Sequence, residues 1–200
     1  MGNLLAFDQS VTATACVCFK IQEDDKIIYV SKEVFKPKTT GIYRLRQIND
    51  WIGKKIAETK PHILIREMHN QVQYGAAGQI LSVGAIIDLY ADQYDMLSGQ
   101  RYMMIPAGVG KKFMTGKGNL KKDTSYLIHI NKAIAQCKFM NHVDVATIYD
   151  DNIADAACLG IMGYAAYMTR FRPQVLKLSK ESEDVVKKNM DRIFEYGKRL

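Results

Sequence analysis

Two short apolar runs open the chain, Leu4 to Phe7 and Ala15 to Phe19, joined by a polar turn. That pattern predicts a β-hairpin over residues 3–8 and 14–21, and KIIYVSKEVF supplies a third strand. The period then changes. Ile42, Leu45, Ile48, Ile52 and Ile56 recur at helical spacing, which predicts one helix with all five turned inward. Pro61 prepares an extended segment, HILIREMH, and residues 76–94 return to a helical stripe through Ile80, Gly84, Ile87 and Ala91. RYMMIP is a strand closed by Pro106, and a helical run over 123–137 places Tyr126, Leu127, Ile130 and Ile134 inward. NHVDVATIYDD reads as a loop, and NIADAACLGIMGYAAYM as a long apolar helix with its polar residues crowded at the start. Three strands, helix, strand, helix, strand and further helices describe an α/β chain, a mixed five-stranded sheet flanked by helices.

Length changes the picture little: 200 residues suit one domain with an appendage. Residues 1–170 form the expected domain. Pro173 interrupts the chain, and Ser182-Glu183-Asp184 then opens a basic amphipathic helix with favourable N-terminal chemistry, so residues 171–200 are expected to be a basic helical extension. Hydrophobic residues make up 48% of the chain, enough for a core, and the net charge of +7 is compatible with a polyanionic partner. Cys16, Cys18, Cys137 and Cys158 lie in apolar surroundings without metal-ligand spacing, so reduced core thiols are expected. With no membrane-length apolar run and no leader pattern, the expectation is a soluble cytoplasmic protein.

The acids are the chemically informative residues. Asp8 ends the first apolar strand, and Glu67 falls at the end of another, HILIREMH. Asp150, Asp151 and Asp155 lie at the mouth of the long apolar helix, where Asp151 and Asp155 are four apart and share a face, with Asn152 able to join them. Each has a plain structural alternative: Asp8 a turn, Asp150 or Asp151 a helix cap, Glu67 an ion pair with Arg66 or a lysine. If the strands of Asp8 and Glu67 are parallel neighbours, both acids point to one sheet edge, and the last helix can bring Asp151 and Asp155 alongside. Carboxylates so crowded raise one another's pKa values unless cations neutralise them, and oxygen-only donors suit Mg²⁺ or Mn²⁺.

Four blocks carry a family resemblance. LLAFDQSVTATACVCF, ILIREMH, IPAGVGKKFMTGKGNLKKD and DDNIADAACLG are similar, in order and spacing, to the segments of RuvC-like Holliday junction resolvases of the RNase H-like superfamily, across about residues 3–168. The departures from bacterial RuvC resemble the phage branch, which implies a bacterial or phage-infected host cell. The resemblance implies an RNase H-like fold, metal-binding catalytic acids at Asp8, Glu67 and Asp155, and lysines near the scissile phosphate at Lys111 and Lys122. Asn152 stands where bacterial members carry Asp or His, so Asp151 is expected as the fourth acid with Asn152 assisting and Asp150 behind it. His69 and Asn70 occupy the neighbourhood of the family's base-stacking aromatic, which leaves Tyr74 as the substitute.

These residues suit phosphodiester hydrolysis by two metal ions, with Asp8 bridging, Glu67 completing one site, Asp151 and Asp155 the other, and Lys122 stabilising transition-state charge. Lys111, Lys112, Lys117, Lys121 and Lys122 are expected to crowd one loop with Gly116 and Gly118 and to grip DNA; a lysine run that is merely solvated is the alternative. The expected activity is paired symmetric nicking of four-way junctions by a homodimer, leaving 5′-phosphate and 3′-hydroxyl ends. The residues 171–200 would add DNA contacts or clamp the dimer. Rival readings are a broader nuclease on forks and flaps, a junction-binding protein without cleavage, and, more remotely, an actin-like ATPase. His62, His129 and His142 are expected to be structural or exposed, Trp51 to pack at its helix edge, and Met103-Met104 to fill core.

Overall fold

A computed structural model describes residues 2–68, 76–97, 100–123, 125–141 and 147–194, excluding the side chains of 76–80. Its elements are β1 (Asn3–Asp8), β2 (Thr14–Ile21), β3 (Ile27–Phe35), α1 (Gly41–Thr59), β4 (Pro61–Met68), α2 (Ala76–Gln93), β5 (Tyr102–Pro106), α3 (Val109–Thr115), α4 (Tyr126–Ala135), α5 (Asp151–Phe171) and α6 (Lys180–Phe194). The sheet order is β3-β2-β1-β4-β5, and its five strands form the mixed sheet that the pattern predicts. β1 runs antiparallel to β2 and parallel to β4, and β4 runs parallel to β5.

Strand alternation divides the core into two layers. Leu4 and Ala6 of β1, Ile63 and Ile65 of β4, and Met103 and Ile105 of β5 face α5. Leu5 and Phe7, Leu64, Tyr102 and Met104 face α1 and α2, meeting Ile48, Trp51, Ile52 and Ile56 of α1 and Val83, Ile87 and Ala91 of α2. Trp51 is buried more deeply than its expected edge position, with its ring stacked on Phe35 and its indole N–H donated to Glu33 at 2.7 Å. Ile42 departs from the predicted inward stripe: it is 72% exposed in the first turn of α1, before the helix reaches the sheet. The four cysteines are free, and burial pushes the Cys16 thiol up to about 12 and the Cys18 thiol up to about 11.

α6 continues the α5 layer. It lies against β5, α3 and α5, and its Val186, Ile193 and Phe194 are buried in the same cluster as the α5 residues. No helix among the described residues is long and apolar enough to cross a membrane.

α5 approaches the sheet closely because it carries small residues on its inner face. A Cβ on Gly160 would stand 2.5 Å from the Phe19 ring and 3.2 Å from the Ala6 Cβ. Gly160→Val is therefore expected to lower stability by about 2 kcal/mol, overpacking outweighing the gain in helix propensity. Thermal unfolding measures it, and an unchanged midpoint would contradict this packing.

Candidate active site

Alternation also decides where the acids go. Asp8 follows Leu4 and Ala6 on the α5 face of β1, and Glu67 follows Ile63 and Ile65 on the same face of β4. The parallel register pairs Ala6 with Ile65 and Phe7 with Arg66 and stops there, so its continuation sets Asp8 beside Glu67 where the two strands part. Such a carboxyl-end crevice in an open α/β sheet is a natural place for a site.

α5 supplies the third acid. Asp150 caps the helix, its Oδ1 accepting the N–H groups of Asn152 and Ile153 at 2.9 and 3.2 Å. Of the alternatives left by the sequence, capping describes Asp150. One turn into the helix, Asp155 is buried, and the first-turn residues Asp151 and Asn152 are half-buried. Tyr126 of α4 donates its hydroxyl to Asp155 Oδ1.

Two lysines converge on that carboxylate. Lys111 Nζ lies 3.1 Å from Asp155 Oδ1, and Lys122 Nζ lies 2.8 Å from Oδ2. α3 can deliver Lys111 because Gly110 rests on α5: a Cβ there would meet the Cys158 backbone at 3.0 Å, one turn beyond Asp155. The expected single lysine-rich loop is thus partly helix. Lys111 and Lys112 belong to α3, which ends at Gly116 in a left-handed conformation, while Gly118 abuts Gly108. Lys112, Lys117 and Lys121 are exposed around it.

The electrostatics bind these residues into one unit. Burial, then the charges of Asp155 and Glu67, raise the Asp8 carboxyl well above the usual carboxylate range, with Lys122 and Lys111 opposing. Glu67 is raised by burial and by Asp155; Lys111, Lys122 and a hydrogen bond from the Gly108 backbone work the other way. Burial pulls the Lys122 ammonium down, but its bond to Asp155 and the charges of Asp155, Asp8 and Asp151 hold it above its ordinary value. Tyr126 is pushed up by burial and then by Asp155, so its hydroxyl stays a donor.

The predicted Asp8, Glu67, Asp155, Lys111 and Lys122 therefore share one site, with Asp151 within electrostatic reach of Lys122. Tyr74, His69, Asn70 and His142 lie outside the described residues. Tyr126 was readable only as an inward residue of a helical stripe; its role comes from the tertiary contact. The donor chemistry, oxygen atoms only and mutually repelling, fits a hard divalent cation such as Mg²⁺ or Mn²⁺. The expected ligand set of Asp8, Glu67, Asp151, Asn152 and Asp155 is not a preformed cage: among the described residues no three His, Cys, Asp or Glu side chains are grouped to hold an ion. Lys111, Lys122 and Tyr126 engage the Asp155 oxygens instead.

No family model and no curated protein matches the sequence. Solved structures resemble its fold. Thermus thermophilus RuvC in complex with a Holliday junction substrate superposes with a TM-score of 0.64 at 14% identity, covering 84% of this chain and 96% of that one. RuvC of the same organism in a second structure gives 0.61 at 14% identity, over 84% and 95% of the two chains. The yeast mitochondrial Holliday junction resolvase gives 0.53 at 14% identity, over 86% and 82%. The order β3-β2-β1-β4-β5 with helices on both faces is thus the fold of these RuvC structures, an RNase H-like one.

Proposed function

We propose that this protein is a metal-dependent endonuclease that cuts four-way DNA junctions. The observation that carries the reading is the convergence of Asp8, Glu67 and Asp155 with Lys111 and Lys122 at the parted ends of β1 and β4. The likeness in fold to resolvases supports the junction as substrate.

Asp8, Glu67 and Asp155, helped by Asp151 and Asn152, would hold a pair of Mg²⁺ or Mn²⁺ ions. Bound there, such ions supply an activated water and charge stabilisation at the departing 3′ oxygen, which leaves 5′-phosphate and 3′-hydroxyl ends. The chain's own groups do the rest. Tyr126 fixes the orientation of Asp155 through its hydroxyl. The Lys122 and Lys111 ammoniums offset the acids and stand ready to meet the charge of the reacting phosphate. Exposed Lys112, Lys117 and Lys121 extend positive charge away from the site, as a phosphate backbone requires.

Paired cuts on a symmetric junction need two sites related by a twofold axis. α2 offers a surface for that pairing: Leu81, Ala85 and Leu89 recur every fourth residue on its outer face, and all three are exposed, Leu89 to 70%.

The test is incubation of the full chain with a synthetic four-way junction, a fork and a linear duplex, each in Mg²⁺, Mn²⁺ or EDTA. Symmetric metal-dependent nicks confined to the junction are expected. Equal cutting of forks would replace this reading with a broader branched-DNA nuclease, and binding without cutting in either metal would reduce it to a junction-binding protein.

A further inference from the structure

Behind the acids, on the opposite face of the sheet, lies a polar cluster that the proposed chemistry does not use. Arg66 follows Leu64 on the α2 side of β4 and is buried. Its guanidinium forks onto Asp88 of α2, with Nε 2.7 Å from Oδ1 and Nη2 2.9 Å from Oδ2. Nε also approaches the Tyr102 hydroxyl of β5 at 2.5 Å, and Tyr102 in turn donates to Asp88. The remaining edge of the fork is turned back: Nη1 donates to the Glu67 main-chain carbonyl at 2.8 Å. That same carbonyl accepts Gln9 Nε2 at 2.9 Å.

Both donors act where the strand ladder fails. β1 and β4 stop pairing at Phe7 and Arg66, so the Glu67 carbonyl lies just past the last register pair of their ladder, beside the two acids. The Gln9 amide and the Arg66 guanidinium occupy both acceptor directions of its carbonyl, which locks the peptide plane and with it the direction of the Glu67 side chain on the other face. Two further features set this arrangement apart from an ordinary apolar filling of the space. Gln9 is only 3% exposed, and its Oε1 has no hydrogen-bond partner among the described residues, so the amide is held for its donor while its acceptor goes unsatisfied. A buried ion pair such as Arg66–Asp88 is also weak support for a fold compared with well-packed apolar groups. Gly84 of α2 packs directly on the pair: a Cβ there would sit 3.3 Å from Gln9 Nε2 and 3.4 Å from Arg66 Nη1.

We propose that Arg66 and Gln9 are positioning residues of the acidic site, setting the spacing of the Asp8 and Glu67 carboxylates by clamping the Glu67 peptide from behind, with Asp88 and Tyr102 anchoring the clamp to α2 and β5. The inference rests on the metal-dependent nuclease reading and deepens it: cation affinity, not DNA affinity, is what the clamp controls.

Gln9→Met is the decisive variant. It keeps length and bulk, removes the donor, and also removes the unsatisfied acceptor, so a merely structural glutamine predicts equal or higher stability and unchanged chemistry. The clamp predicts single-turnover junction cleavage slower by about 10- to 100-fold, with Mn²⁺ binding to the DNA-free protein weakened in proportion when followed by electron paramagnetic resonance. Junction affinity in EDTA stays within about twofold of wild type, and the unfolding temperature does not fall. Arg66→Lys, which keeps the charge facing Asp88 but cannot span to the Glu67 carbonyl, should move cleavage and Mn²⁺ binding in the same direction. Should it fail to fold, Gln9→Met alone decides. Wild-type protein that binds Mn²⁺ and cuts junctions, beside a Gln9→Met variant that matches it within about twofold on both counts, overturns the clamp and leaves the nuclease reading standing. Wild-type protein that neither binds Mn²⁺ nor cuts overturns both.

Discussion

Asp8→Asn is expected to abolish junction cleavage, by on the order of 10³-fold or more, while the metal-free protein becomes more stable than wild type. The two effects share a cause. Burial and the neighbouring Asp155 and Glu67 charges raise the Asp8 carboxyl well above its ordinary range, so in the fold its ionised form is disfavoured. A group whose folded pKa is raised lends stability that is complete below the unfolded value, about 4, and lost as pH climbs through the folded one. Wild type without metal should therefore lose stability as pH rises above about 4, and the asparagine variant should lose less. Each recovered ~1 kcal/mol corresponds to roughly 2–4 °C in a chain of this size. Thermal unfolding in EDTA from acid to neutral pH measures the difference, which should close towards the acid end. Adding Mg²⁺ should reverse the order, because only wild type gains fully from a ligand that binds the folded state. Lower stability of the variant in EDTA at neutral pH would refute the assigned electrostatics, and retained cleavage would refute the site.

Asp155→Ala should abolish cleavage to the same degree, on the order of 10³-fold, but should shift stability the other way. Asp155 is held by two lysine ammoniums, at 3.1 and 2.8 Å, and by the Tyr126 hydroxyl. Its removal strands a buried tyrosine hydroxyl and leaves Lys111, whose side chain is only 21% exposed, without its partner. Breaking a buried pair typically costs about 3–5 kcal/mol. Here Lys122 has room to turn towards water, and relief of repulsion at Asp8 and Glu67 returns part of the loss, so a net cost of about 2 kcal/mol is expected. Opposite shifts for two acids that are equally necessary for cleavage would separate this electrostatic arrangement from a generic cluster of carboxylates. Equal shifts in unfolding temperature would refute it.

The strands and most helices are legible in the sequence because their burial follows the period of the apolar residues. Leu4, Ala6 and Asp8 alternate with Leu5, Phe7 and Gln9, so Asp8 was bound to face whatever covers the Leu4 side. Asp155 was legible for a related reason, a charge enclosed by alanines on an apolar helix. Ile42 misled because periodicity reports a face but not where along its length a helix meets the sheet. α3 was missed because seven residues between glycines, two of them lysine, offer too short a stripe to register as a period. Tyr126, Asp88 and Tyr102 were silent. Their polar atoms act at the ends of side chains that otherwise read as core or as surface, and their partners stand 14 to 36 residues away.

α6 carries a practical consequence for anyone who would trim the chain. Val186, Ile193 and Phe194 are plugs in the layer shared with α5, and Phe194 also sits edge-on to Phe171 beneath the Arg170 guanidinium. Cutting the chain at the proline bend would uncork that layer and bare a greasy seam along β5 and α3, so the shortened molecule would be prone to clump before it met any nucleic acid. The contribution of this tail to recognition is best sought by exchanging its outward lysines, with its corks left in place.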